Sequence, residues 1–200
     1  SGSRGLGATI AGHYTKIAKE ICKLPSEAKN LAYLDLNSAE GQEYWIAMNL
    51  AGDYASACHE IIHKRITNAI GAHVMAKVEN HHNFAWKEKW NNEELIVHRK
   101  GATPAAEGVL GFIPGSMTAP GYLVVGKGKD NSINSASHGA GRQMSRTQAI
   151  KSIARGSLKK VLKEHGVTLI GAGLDEAPMA YKNIENVMAA QSDLVDVIAK

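Results

Sequence analysis

Several short stretches of this sequence carry residues whose types and spacing could do chemistry. In the run NSASHGAGRQMSR, Asn134 to Arg146, one imidazole, His138, stands among small residues and is followed by Gly139, Gly141 and Arg142. Glycines let a backbone come close to a phosphate, and a guanidinium offers a planar fork to its oxygens. Ser145 precedes Gln148 by three residues, the spacing of a capping box, so a helix N-terminus that favours anions lies just beyond. An imidazole in that place can attack phosphorus. It can equally be an incidental histidine in a turn, and the stretch alone leaves both open.

HEIIH, His59 to His63, has the pattern of zinc-dependent proteases, with two histidines on one helix face and Glu60 as a base. At about 100° per residue, His59 falls on the face that Trp45, Met48 and Ile66 share, with His63 at its edge. That favours packing or lining a cavity, and no third ligand is evident downstream. In ENHHNFAWKE, Glu79 to Glu88, neighbouring residues of a strand point to opposite faces, so His81 and His82 cannot both bind one ion. HRKGATPA, His98 to Ala105, ends a strand on Arg99 and Lys100 and turns at Gly101, which suits phosphate oxygens as well as solvent. IPGSMTAPGY, Ile113 to Tyr122, is a Gly- and Pro-rich loop whose amides and Ser116 could embrace a flat polar ligand.

Periodicity sets the elements that must position these groups. Ile10, Tyr14, Ile17 and Ile21 predict a helix over 8–22, ended before Pro25. A longer helix is expected from Gly41 to Ile70, with Gly71 as its stop. Strands are expected at His73–Asn80, Glu94–Lys100, Gly108–Pro114 and Gly121–Lys127, where Gly, Pro and Asn punctuate apolar runs. A second helical region runs from Ser145 to Glu164 with a break at Gly156, then VTLIG as a short strand, then a closing helix from Asn183 to Lys200. Helices, then strands, then helices give an α+β chain, a mixed sheet with an antiparallel component and flanking helices.

Composition narrows the class. The chain has 200 residues, 44% hydrophobic and 21% charged, which suits a single globular domain with a sizeable core. No apolar run is long enough for a membrane helix and no secretory signal is visible, so a cytoplasmic protein is expected. Two cysteines make no disulfide framework. A net charge of +4 permits an anionic partner without requiring one.

Together the motifs say more. SGSRGLG, HHN, RKGA, IPGSM, SHGAGR, DEAPMAYK and MAAQSDLV occur in this order, and over nearly its whole length the chain resembles the RtcB family of RNA-splicing ligases. The resemblance implies a GTP- and manganese-dependent ligase. It joins RNA 3′-phosphate or 2′,3′-cyclic phosphate ends to 5′-hydroxyl ends, in tRNA splicing or RNA repair. It implies that His138 takes GMP as a phosphoramidate and that His82, the histidine before Asn, is a metal ligand. Asn83 would contact the guanylate, and Pro114, Gly115, Ser116 and Met117 would form part of the guanosine pocket. Gly139, Ala140 and Gly141 would line the phosphate path, with Arg142 and Lys100 as further phosphate contacts. An archease-type activator is a possible partner.

The chain also departs from the family pattern. Gly121 stands where the family commonly has a nucleotide-contacting serine. The family's histidine before SGSRG, its upstream Asp, Cys and GNH-type ligands, and a lysine near its C-terminus have no counterpart. The resemblance thus implies a segment of one catalytic domain, truncated at both ends. Two alternatives follow: an inactive RtcB-like chain that binds nucleotide or RNA weakly, and an HExxH zinc hydrolase.

Overall fold

The computed structural model describes residues 3–81 and 83–200. They fall into two compact units, residues 1–77 and residues 78–200.

The first unit is helical. A π-helical turn, Ser3–Gly7, leads into α1, Ala8–Cys22, and a 3₁₀ turn, Ser26–Leu31, precedes α2, Ala39–Ala69. α1 ends as expected before Pro25, with Lys23 in the left-handed region at φ 40°. Ser38 caps α2, its hydroxyl accepting from the Gly41 amide at 3.1 Å. Gly41 is compulsory there: a Cβ would stand 1.9 Å from the Asp35 carbonyl oxygen. Gly71, at φ 63°, stops the chain's helical course after α2. Tyr14 of α1 meets Tyr44 of α2 with ring centroids 5.2 Å apart. Towards its C-terminus α2 leaves Ile61, Ile62 and Ile66 about half exposed.

The second unit is built on three small antiparallel sheets. β1, Asn83–Trp90, and β2, Glu93–Lys100, form a hairpin over Asn91 and Asn92, both at positive φ as a tight hairpin turn requires. β3, Ala102–Pro104, pairs with β6, Ser135–Ser137. β4, Leu110–Ile113, β5, Tyr122–Gly126, and β7, Val195–Ala199, make the third sheet with β5 in the centre. Alternation along β5 buries Tyr122, Val124 and Gly126, and the side chains of Tyr122 and Val124 make one core with Ile113, Ala136, Ala140, Ile184 and Met188. Full burial of a side chain such as Ile113 stabilises by about 1.5–3 kcal/mol. A second core joins α3, Arg146–Ser152, and α4, Arg155–Glu164, to a following loop through Ala149, Leu158, Leu162, Ala177 and Ala180.

The expected α+β architecture is present, and the differences are local. His73–Asn80 and VTLIG, residues 167–171, form no strand. The helical region after Ser145 breaks at Ile153 and Ala154 instead of Gly156, because Ile153 is buried in an extended conformation. Ser145 caps α3, accepting from the Gln148 amide at 3.1 Å. The closing helix is only α5, Ile184–Ala189, and the chain then returns as β7. β7 satisfies backbone groups along the open edge of β5, and its Val-Asp-Val-Ile sequence is β-branched enough to prefer that to helix. Among the described residues no helix is long and apolar enough to cross a membrane.

Candidate nucleotide site

His138 is delivered by a strand end. β6 runs into it from Ser137, which pairs with Ala102, and the His138 amide donates to the Gly101 carbonyl at 3.3 Å. Gly101 backs the ring: a Cβ on it would lie 3.9 Å from the imidazole Cε1 and Nδ1. Ser137 fixes the next turn, its hydroxyl donating to the Gly139 carbonyl at 2.7 Å, while its amide donates to the Gln191 side chain at 2.8 Å.

The loop after β4 folds over this turn. The Ala140 amide donates to the Pro114 carbonyl at 2.9 Å, which ties the HGAG loop to the PGSM loop. Gly115 sits where that loop closes on itself, since a Cβ would come within 2.4 Å of the Pro120 carbonyl oxygen. Gly141, at φ 71°, turns the chain so that Arg142 bridges to Tyr181 and the Lys182 amide donates back to the Gly141 carbonyl at 3.0 Å.

These segments enclose a cavity of about 750 Å³. Pro114, Gly115, Ser116, Met117, Gly121, His138, Gly139, Ala140, Gly141 and Arg142 all line it. Ten of the residues singled out from sequence thus meet at one place. Its wall is completed by Phe112, Ala119, Arg146, Ala172, Glu176 and Tyr181, for which sequence reasoning assigned no role. The signal for two of them was present, because Glu176 and Tyr181 belong to the DEAPMAYK stretch.

One wall is charged. Arg142 donates from Nε to the Met144 carbonyl at 3.1 Å and from Nη1 to the Tyr181 hydroxyl at 3.2 Å, with its guanidinium 5.0 Å from the Tyr181 ring centroid. Its Nη2 is buried and has no hydrogen-bond partner among the described residues. A buried cationic N–H without an acceptor is costly, and an anion in the cavity would satisfy it. Behind it, the Tyr181 hydroxyl donates to Glu176, and Arg146 bonds both Glu176 and Asp175. Burial pushes the Glu176 carboxyl up, but the bonds from Tyr181 and Arg146 outweigh it and hold the group below the usual carboxylate range. Burial, and then the bond to Glu176, raise the Tyr181 phenol above its ordinary value.

Gly121 has its own geometry. A Cβ there would stand 2.3 Å from the Phe112 ring, so the aromatic side chain occupies the room a serine would need. Asn83 and Lys100 do not line the cavity; they face each other across the β1–β2 register, both exposed, one residue from Gly101. Arg99 is no phosphate ligand. It is 3% exposed, bonded to Glu88, the Ser135 hydroxyl and the Ile133 carbonyl, and stacked 5.1 Å from the Trp86 ring centroid. His81 stacks on Phe84 with centroids 4.7 Å apart. His82 lies outside the described residues. On α2, His59 is half-buried while Glu60 and His63 are exposed. Among the described residues no group of three or more His, Cys, Asp or Glu is placed to hold a metal ion.

The family model described as tRNA-splicing ligase RtcB matches residues 1–200. The chain belongs to the RtcB family. It is 36% identical to the RNA-splicing ligase RtcB of Escherichia coli (strain K12), over 99% of this chain and 52% of that protein. The tRNA-splicing ligase RtcB of Nanoarchaeum equitans is 32% identical over 97% of the chain and 47% of the relative. That of Pyrococcus abyssi is 30% identical over 96% of the chain and 25% of the relative. The chain therefore spans about half the length, or less, of these RtcB relatives.

Proposed function

We propose that this chain carries the guanylate-transfer site of an RNA ligase that joins 3′-phosphate or 2′,3′-cyclic phosphate ends to 5′-hydroxyl ends. The observation that carries the reading is the convergence of His138, the HGAG and PGSM loops and Arg142 on one cavity of about 750 Å³. The cavity suits a guanine nucleotide as co-substrate: small residues leave room beside the imidazole, and the Arg142 Nη2 is a buried donor in need of an acceptor.

Neutral imidazole is a competent nucleophile near pH 7. His138 would attack the α-phosphorus of GTP, forming a P–N bond as the bond to pyrophosphate breaks. The RNA 3′-phosphate then takes the guanylate as the P–N bond breaks, and attack by the 5′-hydroxyl expels GMP. Catalysis of such transfers is mostly positioning and charge neutralisation, tasks that Gly139, Ala140, Gly141 and Arg142, which line the cavity, would serve. Lys100 and Asn83, beside Gly101, would meet the nucleotide or RNA from outside the cavity. The described residues do not by themselves build the manganese site implied by the family, and His82 is the one ligand assigned to it. tRNA halves, an archease-type activator and a cytoplasmic setting belong to the same reading.

The test is covalent labelling by GTP carrying a radioactive α-phosphate, with manganese, in the full-length protein. An acid-labile label lost in His138→Ala is expected, and a label unchanged in that variant overturns the assignment. That the described residues include no three-donor metal set favours a second reading, in which this chain alone binds nucleotide without turnover. Ligation of RNA by the isolated chain would rule that out.

A further inference from the structure

A second cavity, of about 600 Å³, adjoins the first at Ala172. Its outer wall is one face of α4. Arg155, Lys159 and Lys163 line it at i, i+4 and i+8, which sets successive cations about 6 Å apart along the helix axis. Leu158 and Leu162 turn inward and are buried, so the cations stand on a helix anchored in the second core. None of the three cationic side chains makes an ion pair or hydrogen bond with a described residue. Lys160, on another face of the same helix, is paired with Glu164 at 4.0 Å. Ala172 lines both cavities, so the basic face and the His138 cavity share a wall.

We infer that this α4 face is a track for the phosphate backbone of single-stranded RNA, leading the strand to be joined toward His138. The inference rests on the RNA-ligase reading and extends it to a surface that reading does not use. A row of unpaired cations at a regular rise suits a regularly spaced polyanion, and a charged groove following the backbone is how single strands are held without regard to sequence. The partly exposed Leu169 adds apolar surface to the same groove for sugars and bases.

The experiment is fluorescence anisotropy with a labelled 20-nucleotide RNA bearing a 5′-hydroxyl and a 3′-phosphate, titrated over a range of salt concentrations. The variants are Arg155→Gln, Lys159→Gln and Lys163→Gln together, and Lys159→Gln and Lys160→Gln singly, in the full-length protein with circular dichroism as the folding control. The triple change is expected to flatten the slope of log affinity against log salt by about 2, near 0.7 per released counterion, and to weaken binding at low salt at least tenfold. Labelling of His138 by GTP stays within about twofold. Lys159→Gln is expected to reduce the slope by about 0.7, and Lys160→Gln to leave it unchanged. An unchanged slope in the triple variant, or equal effects of Lys159→Gln and Lys160→Gln, overturns the track. A wild-type protein that binds RNA with these slopes but takes no label from GTP would instead sink the ligase reading alone.

Discussion

Two regions of this molecule carry a short motif that could do chemistry, and their surroundings differ. HEIIH lies on α2, a long regular helix, and supplies its own two histidines and a carboxylate; Glu60 and His63 look outward and the described residues add no further metal donor to them. His138 supplies one imidazole, but three separated stretches, around Pro114, Gly139 and Glu176, close around it as one cavity. The helix motif lacks a third ligand in sequence, and the described residues bring it none in space. The loop motif is incomplete in sequence and completed by the fold. Chemistry follows the second pattern, because a reacting atom needs groups on several sides of it.

The sharpest way to break this comparison is to remove one imidazole from each region. His138→Ala should reduce covalent labelling by GTP at least 100-fold, whereas His59→Ala and His63→Ala together should leave it within about twofold. A reversal of that order would return α2 to the centre of the chemistry.

Stability should divide the same two regions. Ile113, with no exposed surface, packs under the PGSM loop; Ile113→Ala should cost about 2–5 kcal/mol in urea unfolding. Ile62, 46% exposed on α2, should cost under about 1 kcal/mol on the same substitution. Similar costs would mean that α2 is packed as firmly as the core around Ile113.

A third comparison uses acid. The folded-state pKa of Glu176 is depressed, so its contribution to stability is fully present above the unfolded carboxylate value of about 4.5 and is lost as pH falls through the folded value. Wild-type stability should therefore decline below about pH 4.5, and Glu176→Gln should decline less steeply over that window. Parallel pH profiles, measured by urea melts, would show that the Glu176–Tyr181–Arg146 chain does not hold the cavity wall. The smallest effect is expected at Gly121→Ser. The added Cβ displaces the half-exposed Phe112 ring, which can swing outward, so the cost should stay within about 1 kcal/mol. If Phe112→Ala changes the loss, the two residues are coupled through that contact.

Apolar periodicity made α1 and α2 legible, and apolar runs punctuated by Gly, Pro and Asn made strands β2, β4 and β5 legible. The strand at 195–199 was not legible. LVDVIA reads as well in a helix as in a strand, and only the open edge of β5 decides between them. Arg99 shows the same limit for charge: beside Lys100 in a basic strand end, it is the buried partner of Glu88 while its neighbour is exposed. Strand alternation predicts that they face opposite ways, but not which of them faces in.

What the sequence determined by itself is the family and the identity of the groups around His138, because glycine spacing, the Pro-Gly loop and the Arg142 fork are local chemistry written in consecutive residues. Only the tertiary structure decided that Glu176, Tyr181, Arg146 and Phe112 complete that cavity. It also decided that α4 presents three unpaired cations beside it. The physical reason is that a cavity belongs to no segment. It exists where segments far apart in the chain are brought together by the packing of shared cores, and no local pattern records that meeting.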